Sequence, residues 1–184
     1  MKRLILSVTL LSILGGGLAA PVPKHLMPKP LYYHPTAIGA TWIYEEGEHE
    51  RKYVLSKVED KKVGKLVTTE LVVEEGPHPP GLTFLVSEDG LEWVSGENSS
   101  WMLRLPAGPD QQWEDMFGEK WTAKRIEKVE VPAGTYEAVR VDGTVSGNRR
   151  QKATTWYARG VGLIKSEIDG KTYERLMAFY PGKE

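Results

Sequence analysis

Histidine has the widest potential chemistry of the side chains in this sequence, because it can ligate a metal ion or transfer a proton near neutral pH. The chain has four histidines and no cysteine, and the histidines are His25, His34, His49 and His78. A zinc site needs ligands at short, paired spacings, and no two of these histidines are spaced in that way. The pattern predicts surface histidines, and it indicates neither a metal site nor a cofactor.

Paired carboxylates and serine nucleophiles are the other candidates for catalysis. Adjacent acids occur at Glu45–Glu46, Glu74–Glu75, Glu88–Asp89 and Glu114–Asp115. A glycosidase needs two carboxylates across a cleft, whereas neighbouring acids at strand ends are typical of solvated sheet edges. Ser95 lies in "VSGENSS", which reads as a turn and lacks the Gly-x-Ser-x-Gly context of a nucleophile. We therefore expect a non-enzymatic protein without catalytic residues, unless a cleft gathers His78, Glu74, Glu75 and Ser95.

The charge pattern argues against nucleic acid as a partner. The chain has 24 basic and 25 acidic residues, a net charge of −1 with His neutral, and such a mixture creates no broad positive field. The densest basic spot, at Arg149, Arg150 and Lys152, follows Gly147-Asn148 and is typical of a polar loop. No phosphate-binding loop or dinucleotide fingerprint is present in the sequence.

Aromatic side chains are the main compositional excess, with six Trp and eight Tyr against three Phe. Trp and Tyr combine an apolar ring with a polar group. At strand centres they would fill a core, and on the concave face of a curled sheet they would form a ligand groove. Both interpretations remain open at this point. The candidate ligand-binding residues are Trp42, Tyr44, Trp93, Trp101 and Trp156.

Strands must position these side chains, because the chain from Ile38 onward alternates apolar and polar residues with a two-residue period. Trp42 and Tyr44 share a face in "TWIYEE", and Leu82, Phe84 and Val86 alternate in "LTFLVS". The polar alternates are expected on the outer face of the sheet: Lys57, Lys65, Glu70, Lys124, Lys128, Glu167 and Glu174.

The connections are short and rich in turn residues, such as Asp89-Gly90 and Asp169-Gly170. Parallel strands need long crossovers, so the pattern predicts an all-β, mostly antiparallel sheet of about nine or ten strands. A large sheet of this kind twists and curls, and we expect a half-open barrel. The ambiguous segment is Pro109–Gly118, which fits either a short helix or an irregular loop.

The stretch "VEVPAGTYEAVRV", Val129–Val141, predicts a hairpin. Pro132 lacks a backbone donor and ends the pairing, and Gly134 can adopt the positive φ of a tight reversal. Tyr136 does not share the alternation of Val139 and Val141, which indicates a bulge directly after the turn.

The first residues have the order of a secretory signal peptide: Lys2-Arg3, an apolar run from Leu4 to Leu14, and then small residues. That apolar run is too short to span a membrane. We expect a signal peptide at residues 1–20, a Pro-rich extended leader at 21–36 and a single β domain at 37–182. No transmembrane segment is expected after cleavage.

Three segments carry a family resemblance: "YYHPTAIGATWIYEE", "VEVPAGTYEAVRV" and "TTWYARGVGLIKSE", at Tyr32–Glu46, Val129–Val141 and Thr154–Glu167. Together they resemble a group of exported bacterial β-proteins of unknown function. That group is similar in architecture to the lipoprotein-carrier and lipoprotein-receptor half barrels, LolA and LolB. The resemblance implies an exported, curled sheet and carries over no catalytic residue. The chain lacks the cysteine that lipidation requires, which indicates a soluble periplasmic or extracellular member.

Two functions are consistent with these observations. The protein is either an envelope binding module, whose partner is a lipid-like ligand or an envelope protein, or a structural interaction domain with a packed core. The volume enclosed by the sheet distinguishes them. The oligomeric state is not predicted.

Overall fold

A computed structural model describes residues 32–73, 79–108, 111–146 and 149–183. All regular elements of this part of the chain are β-strands, as the two-residue period predicts. The strands are β1 Thr41–Glu46, β2 His49–Lys61, β3 Gly64–Val72, β4 Leu82–Ser87, β5 Gly90–Ser95, β6 Asn98–Arg104, β7 Gln112–Glu114, β8 Lys120–Val131, β9 Gly134–Ser146, β10 Arg150–Ala158, β11 Gly162–Ile168 and β12 Lys171–Tyr180.

The strands form one antiparallel sheet in the order β6-β5-β4-β3-β2-β1-β12-β11-β10-β9-β8-β7. Strands that follow each other in sequence therefore pair with each other, except for β6 and β7. In addition, β1 pairs with β12. Because β1 and β12 meet at the centre, the remaining edges belong to the consecutive strands β6 and β7. The all-β antiparallel class is confirmed.

The two edges meet through side chains, so the sheet is nearly closed into a barrel. The Trp113 indole N–H donates to the Trp101 carbonyl at 2.9 Å, and the Met116 backbone N–H donates to Ser100 Oγ at 3.2 Å. These bonds replace a backbone ladder between β6 and β7. The sheet is consequently more closed than the expected half barrel.

The described residues form twelve strands rather than the expected nine or ten. One additional strand is β7, in the segment that the sequence left ambiguous. A helix there is wrong for the described residues, because Trp113 pairs with Trp121 of β8 in a short antiparallel ladder. The three- and four-residue spacing of Trp113, Met116 and Phe117 thus does not reflect helical packing.

The Val129–Val141 hairpin is confirmed, with Val131 opposite Gly134 and only Pro132-Ala133 between the strands. The predicted bulge after the turn is wrong. Tyr136 lies directly opposite Val129, and the register shift falls between Ala123 and Ile126 of β8. The register shift between these two strands therefore lies in β8, away from the turn.

Apolar side chains of the sheet form the core, and its fully buried members come from both halves of the barrel. The largest are Leu55, Leu103, Ile164, Leu176, Val67, Val86, Val139 and Val141. This burial holds the strands in register, because a slip of one residue would turn these side chains to the other face.

The segment before β1 also packs into the domain. Tyr33 and His34 are buried, and the Gly160 N–H donates to the Tyr32 carbonyl at 2.8 Å. Gly162 has a φ of 96°, and a Cβ there would lie 3.4 Å from the His34 ring. The predicted signal peptide and residues 21–31 of the leader lie outside the described residues, and the domain bounds stay a prediction.

Candidate ligand-binding cavity

A cavity of about 430 Å³ lies on the inner face of the sheet. Cross-strand partners such as Trp42 with Tyr53 and Phe84 with Trp93 share this face, which is why they converge on one volume. The lining residues are His34, Trp42, Tyr44, Glu46, Arg51, Tyr53, Thr69, Leu82, Phe84, Leu91, Trp93, Met102, Tyr157, Val161, Leu163, Tyr173 and Glu174. A volume of this size with mostly apolar walls is typical of a small-molecule site.

The deep wall is fixed by two side chains of β1. The Trp42 indole N–H donates to the Val161 carbonyl at 2.6 Å, and the Tyr44 hydroxyl donates to the Leu163 carbonyl at 2.7 Å. Burial raises the pKa of Tyr44 well above its ordinary value and that of Tyr157 to about 12. These phenols are therefore neutral, and they present rigid ring surfaces to the cavity.

His34 belongs to this wall, so its predicted surface position is wrong. Its ring centroid lies 5.1 Å from that of Trp42 and 5.4 Å from that of Phe84. Burial lowers the pKa of His34 to about 4, although a hydrogen bond to the Pro35 carbonyl acts in the opposite direction. The 2.8 Å contact of Nδ1 with that carbonyl assigns the proton to Nδ1. His34 is thus a neutral member of the aromatic cluster.

The lining residues that are exposed to solvent mark the opening of the cavity. Leu82, Met102 and Tyr173 are 41%, 37% and 51% exposed, whereas Trp42 and Tyr157 are each 2% exposed. The opening therefore combines apolar side chains with one phenol, and the rings behind it are shielded from water. An apolar ligand would lose contact with water on entering.

One end of the cavity is polar. Glu46 pairs with Arg51 at 2.6 Å between Oε2 and Nε, and it accepts a hydrogen bond from the Tyr173 hydroxyl. Glu174 lies directly across the strands from Glu46. Burial raises the pKa of Glu174 to about 7, the nearby Glu46 acts in the same direction, and Arg51 opposes them. The prediction that Glu174 faces outward is wrong.

The candidate binding residues divide into two groups. Trp42, Tyr44 and Trp93 line the cavity. Trp101 lies opposite Glu92, on the other face of the sheet from Trp93, and it does not line the cavity. Trp156 does not line it either. A role in binding stays a prediction for the first group, and the placement of the other two residues on the concave face is wrong.

Trp156 is enclosed by polar side chains on the face opposite Tyr157. It lies across from Arg140 and Lys165, whose charged ends are 5.9 and 5.1 Å from its ring centroid. Its indole N–H donates to the Glu127 carboxylate at 2.7 Å, and this bond is the main cause of the lowered pKa of Glu127. The ring is only 6% exposed because these side chains cover it.

The remaining candidates for chemistry do not assemble in the described residues. Ser95 and His49 are exposed. His25, His78, Glu74 and Glu75 lie outside those residues, so the proposed catalytic grouping cannot be placed. No group of three or more His, Asp or Glu that could hold a metal ion occurs in the part of the chain that the structure describes.

Sequence reasoning missed the polar end because it assigned faces by polarity. Glu174 precedes Leu176 by two residues, and Leu176 is fully buried. Likewise, Arg51 precedes Tyr53 by two, and Tyr53 lies opposite Trp42. The two-residue period would therefore have placed both charged groups on the inner face, had it been followed through the charged positions.

Comparisons with known proteins agree with this architecture. Residues 116–176 match the DUF3108-like family. A candidate exported protein with a YmcC-like fold from Bacteroides fragilis is similar, with a TM-score of 0.56 and 11% identity over 81% of this chain and 99% of that one. A candidate lipoprotein from Parabacteroides distasonis has a TM-score of 0.57 and 14% identity over 84% of this chain and 100% of that one.

At these identities, the likeness shows a shared fold alone. A comparison with curated protein sequences gives no match. Within the described residues, no helix is long and apolar enough to cross a membrane.

Proposed function

We propose that this protein is an exported, non-enzymatic domain of the cell envelope that binds an apolar or lipid-like ligand inside its barrel. The observation that carries the proposal is the cavity of about 430 Å³, whose walls include Trp42, Phe84 and Trp93. A domain that served only as a scaffold would gain stability by filling such a volume with side chains.

The sequence supports the exported location. The amino-terminal pattern is that of a signal peptide, and without a cysteine the chain cannot carry a lipid anchor of the bacterial lipoprotein type. The two proteins of similar fold are candidates for export or lipidation. The resemblance to exported β-proteins that are similar in architecture to the lipoprotein carriers favours a lipid-like ligand class. We place the protein in the periplasm or outside the cell.

Titration of the purified protein with phenylnaphthylamine, a neutral apolar dye, tests the proposal. The dye should bind saturably with increased fluorescence, and dodecanol should displace it. The variant Met102→Trp enlarges a half-exposed side chain at the cavity opening, and Met116→Trp is a matched control at a similarly exposed site away from the cavity.

We expect Met102→Trp to raise the dissociation constant by about tenfold, equivalent to about 1.4 kcal/mol, and Met116→Trp to leave it unchanged. Absence of saturable binding, or equal effects of the two substitutions, would refute a ligand in the cavity. That outcome would favour an interaction domain whose partner docks on the outer surface.

A further inference from the structure

The polar end of the cavity has more carboxyl groups than cations to pair with them. Among the lining residues, Glu46 and Glu174 carry carboxyls, and Arg51 carries a guanidinium. His34, the other basic lining residue, is neutral because burial keeps its pKa at about 4. If both carboxyls are ionised, the cavity holds one uncompensated negative charge.

Arg51 is already committed to Glu46. Its Nε lies 2.6 Å from Glu46 Oε2, and the Tyr173 hydroxyl donates to the other oxygen of the same carboxylate. Glu174 has no hydrogen bond or ion pair with any described residue, although it lies directly opposite Glu46. Glu174 is partly buried, and a carboxylate withdrawn from water without a partner is destabilised, so Glu174 is the group that a ligand could stabilise.

A second polar group beside Glu174 also lacks a partner. Ser166 lies directly across from Glu174 on β11, so the two side chains share a face of the sheet. Ser166 is 8% exposed, and its hydroxyl makes no hydrogen bond to the described residues. Buried hydroxyls are nearly always hydrogen-bonded. Ser166 does not line the cavity, so its hydroxyl is a polar neighbour that leaves the Glu174 carboxyl without a hydrogen bond, and it is not itself a ligand contact.

The rings of the cavity favour a positive charge at this end. Tyr53 and Tyr44 form an edge-to-face pair with centroids 6.0 Å apart. Glu46 lies two residues after Tyr44 on β1, and Arg51 lies two residues before Tyr53 on β2. Aromatic faces attract cations and do so more strongly when water is excluded. An anion would meet Glu46 and Glu174 with no free cation among the lining groups.

We propose that the ligand is an amphiphile with a single cationic amine head group, bound between the carboxyls of Glu46 and Glu174, with its chain among the aromatic walls. This inference rests on the proposed binding function and specifies its ligand class. The ammonium supplies the missing positive charge, and its N–H groups donate to the Glu174 carboxylate.

Displacement of phenylnaphthylamine by three twelve-carbon compounds tests the inference. Dodecylammonium, dodecanol and dodecanoate share one chain and differ in head-group charge, and each is used below its micelle-forming concentration. The variants are Glu174→Gln, which keeps the side-chain shape, and Glu45→Gln. Glu45 precedes Glu46 on the opposite face of β1, where it pairs with Arg175, so its replacement is a control for net charge.

We expect dodecylammonium to displace the dye at a concentration about tenfold lower than dodecanol, with dodecanoate weakest. This advantage should disappear in Glu174→Gln and persist in Glu45→Gln, and dodecanol should bind Glu45→Gln as it binds wild type. An unchanged far-ultraviolet circular dichroism spectrum shows that both variants are folded.

If dodecanol displaces the dye but dodecylammonium has no advantage, or keeps its advantage in Glu174→Gln, the inference fails and the proposed binding function stands. If the dye itself does not bind, the proposed function fails, and the inference fails with it.

Discussion

Replacing Glu174 by glutamine should reveal how a partly buried carboxyl and a buried imidazole set the response of stability to pH. Burial raises the pKa of Glu174 from 4.5 to about 7 and lowers that of His34 from 6.5 to about 4. Both groups titrate over nearly the same range. Because their contributions have opposite signs, they should largely cancel in the wild-type protein.

The sign of each contribution follows from proton binding. Between pH 4.5 and about 7, Glu174 is protonated when folded and ionised when unfolded, so the free energy of unfolding falls as pH rises. Between pH 4 and 6.5, His34 is neutral when folded and protonated when unfolded, so that free energy rises with pH. Each slope is about 1.4 kcal/mol per pH unit.

Urea unfolding at pH 5 and pH 8, followed by tryptophan fluorescence, measures both contributions. Over this interval, Glu174 lowers the free energy of unfolding by up to about 3 kcal/mol, and His34 raises it by about 2 kcal/mol. We expect a small net change for wild type. Glu174→Gln should become more stable at the higher pH, and His34→Phe, which keeps a ring beside Trp42, should become less stable.

The comparison between variants isolates each group, because the remaining titrations are shared. Glu119, Glu127 and Asp169 have pKa values below their ordinary range, so they affect stability mainly below pH 5. Identical pH dependence in wild type and Glu174→Gln would refute the burial of an unpaired Glu174.

Three further substitutions test other contacts by their effect on the free energy of unfolding. Gly143→Ala would place a Cβ 2.3 Å from the Trp121 ring and should lower the free energy of unfolding by about 1–3 kcal/mol. An unchanged free energy of unfolding would show that the ring does not cover Gly143. Trp156→Ala should cost about 3–5 kcal/mol because the ring is buried, and a cost below about 1 kcal/mol would contradict that packing. Trp113→Phe should cost about 1 kcal/mol by removing the bond to the Trp101 carbonyl, and no loss would mean that this bond does not hold the barrel edges together.

Local pattern was sufficient to predict most of the strands. The two-residue period and the Asp169-Gly170 turn depend only on neighbouring residues, and that turn joins β11 to β12 with Asp169 and Gly170 both at positive φ. The pairing of β1 with β12 joins residues more than a hundred positions apart, and no local pattern indicates it. The nearly closed barrel depends on this long-range pairing. Because local patterns do not indicate such a pairing, they predicted only a half-open sheet.

The candidate site was predicted in part. Trp42, Tyr44 and Trp93 line the cavity as the concave-face hypothesis requires, whereas Trp156 lies on the opposite face. Register shifts, such as the one between Trp156 and Tyr157 in the pairing of β10 with β11, displace the alternation locally. Composition cannot reveal which face of the sheet an aromatic residue occupies. Trp156 lies outside the cavity, yet its side chain is as buried as those of many residues that line the cavity.

The central claim is that a ligand enters the barrel, and the indole N–H signals of the six tryptophans test it most directly. In a two-dimensional nitrogen–proton spectrum, each signal is assigned by a single Trp→Phe substitution. On titration with phenylnaphthylamine, the signals of Trp42 and Trp93 should shift saturably, and those of Trp101 and Trp156 should remain in place. Shifts confined to Trp101 and Trp156, or no saturable shift at all, would contradict a ligand-binding cavity.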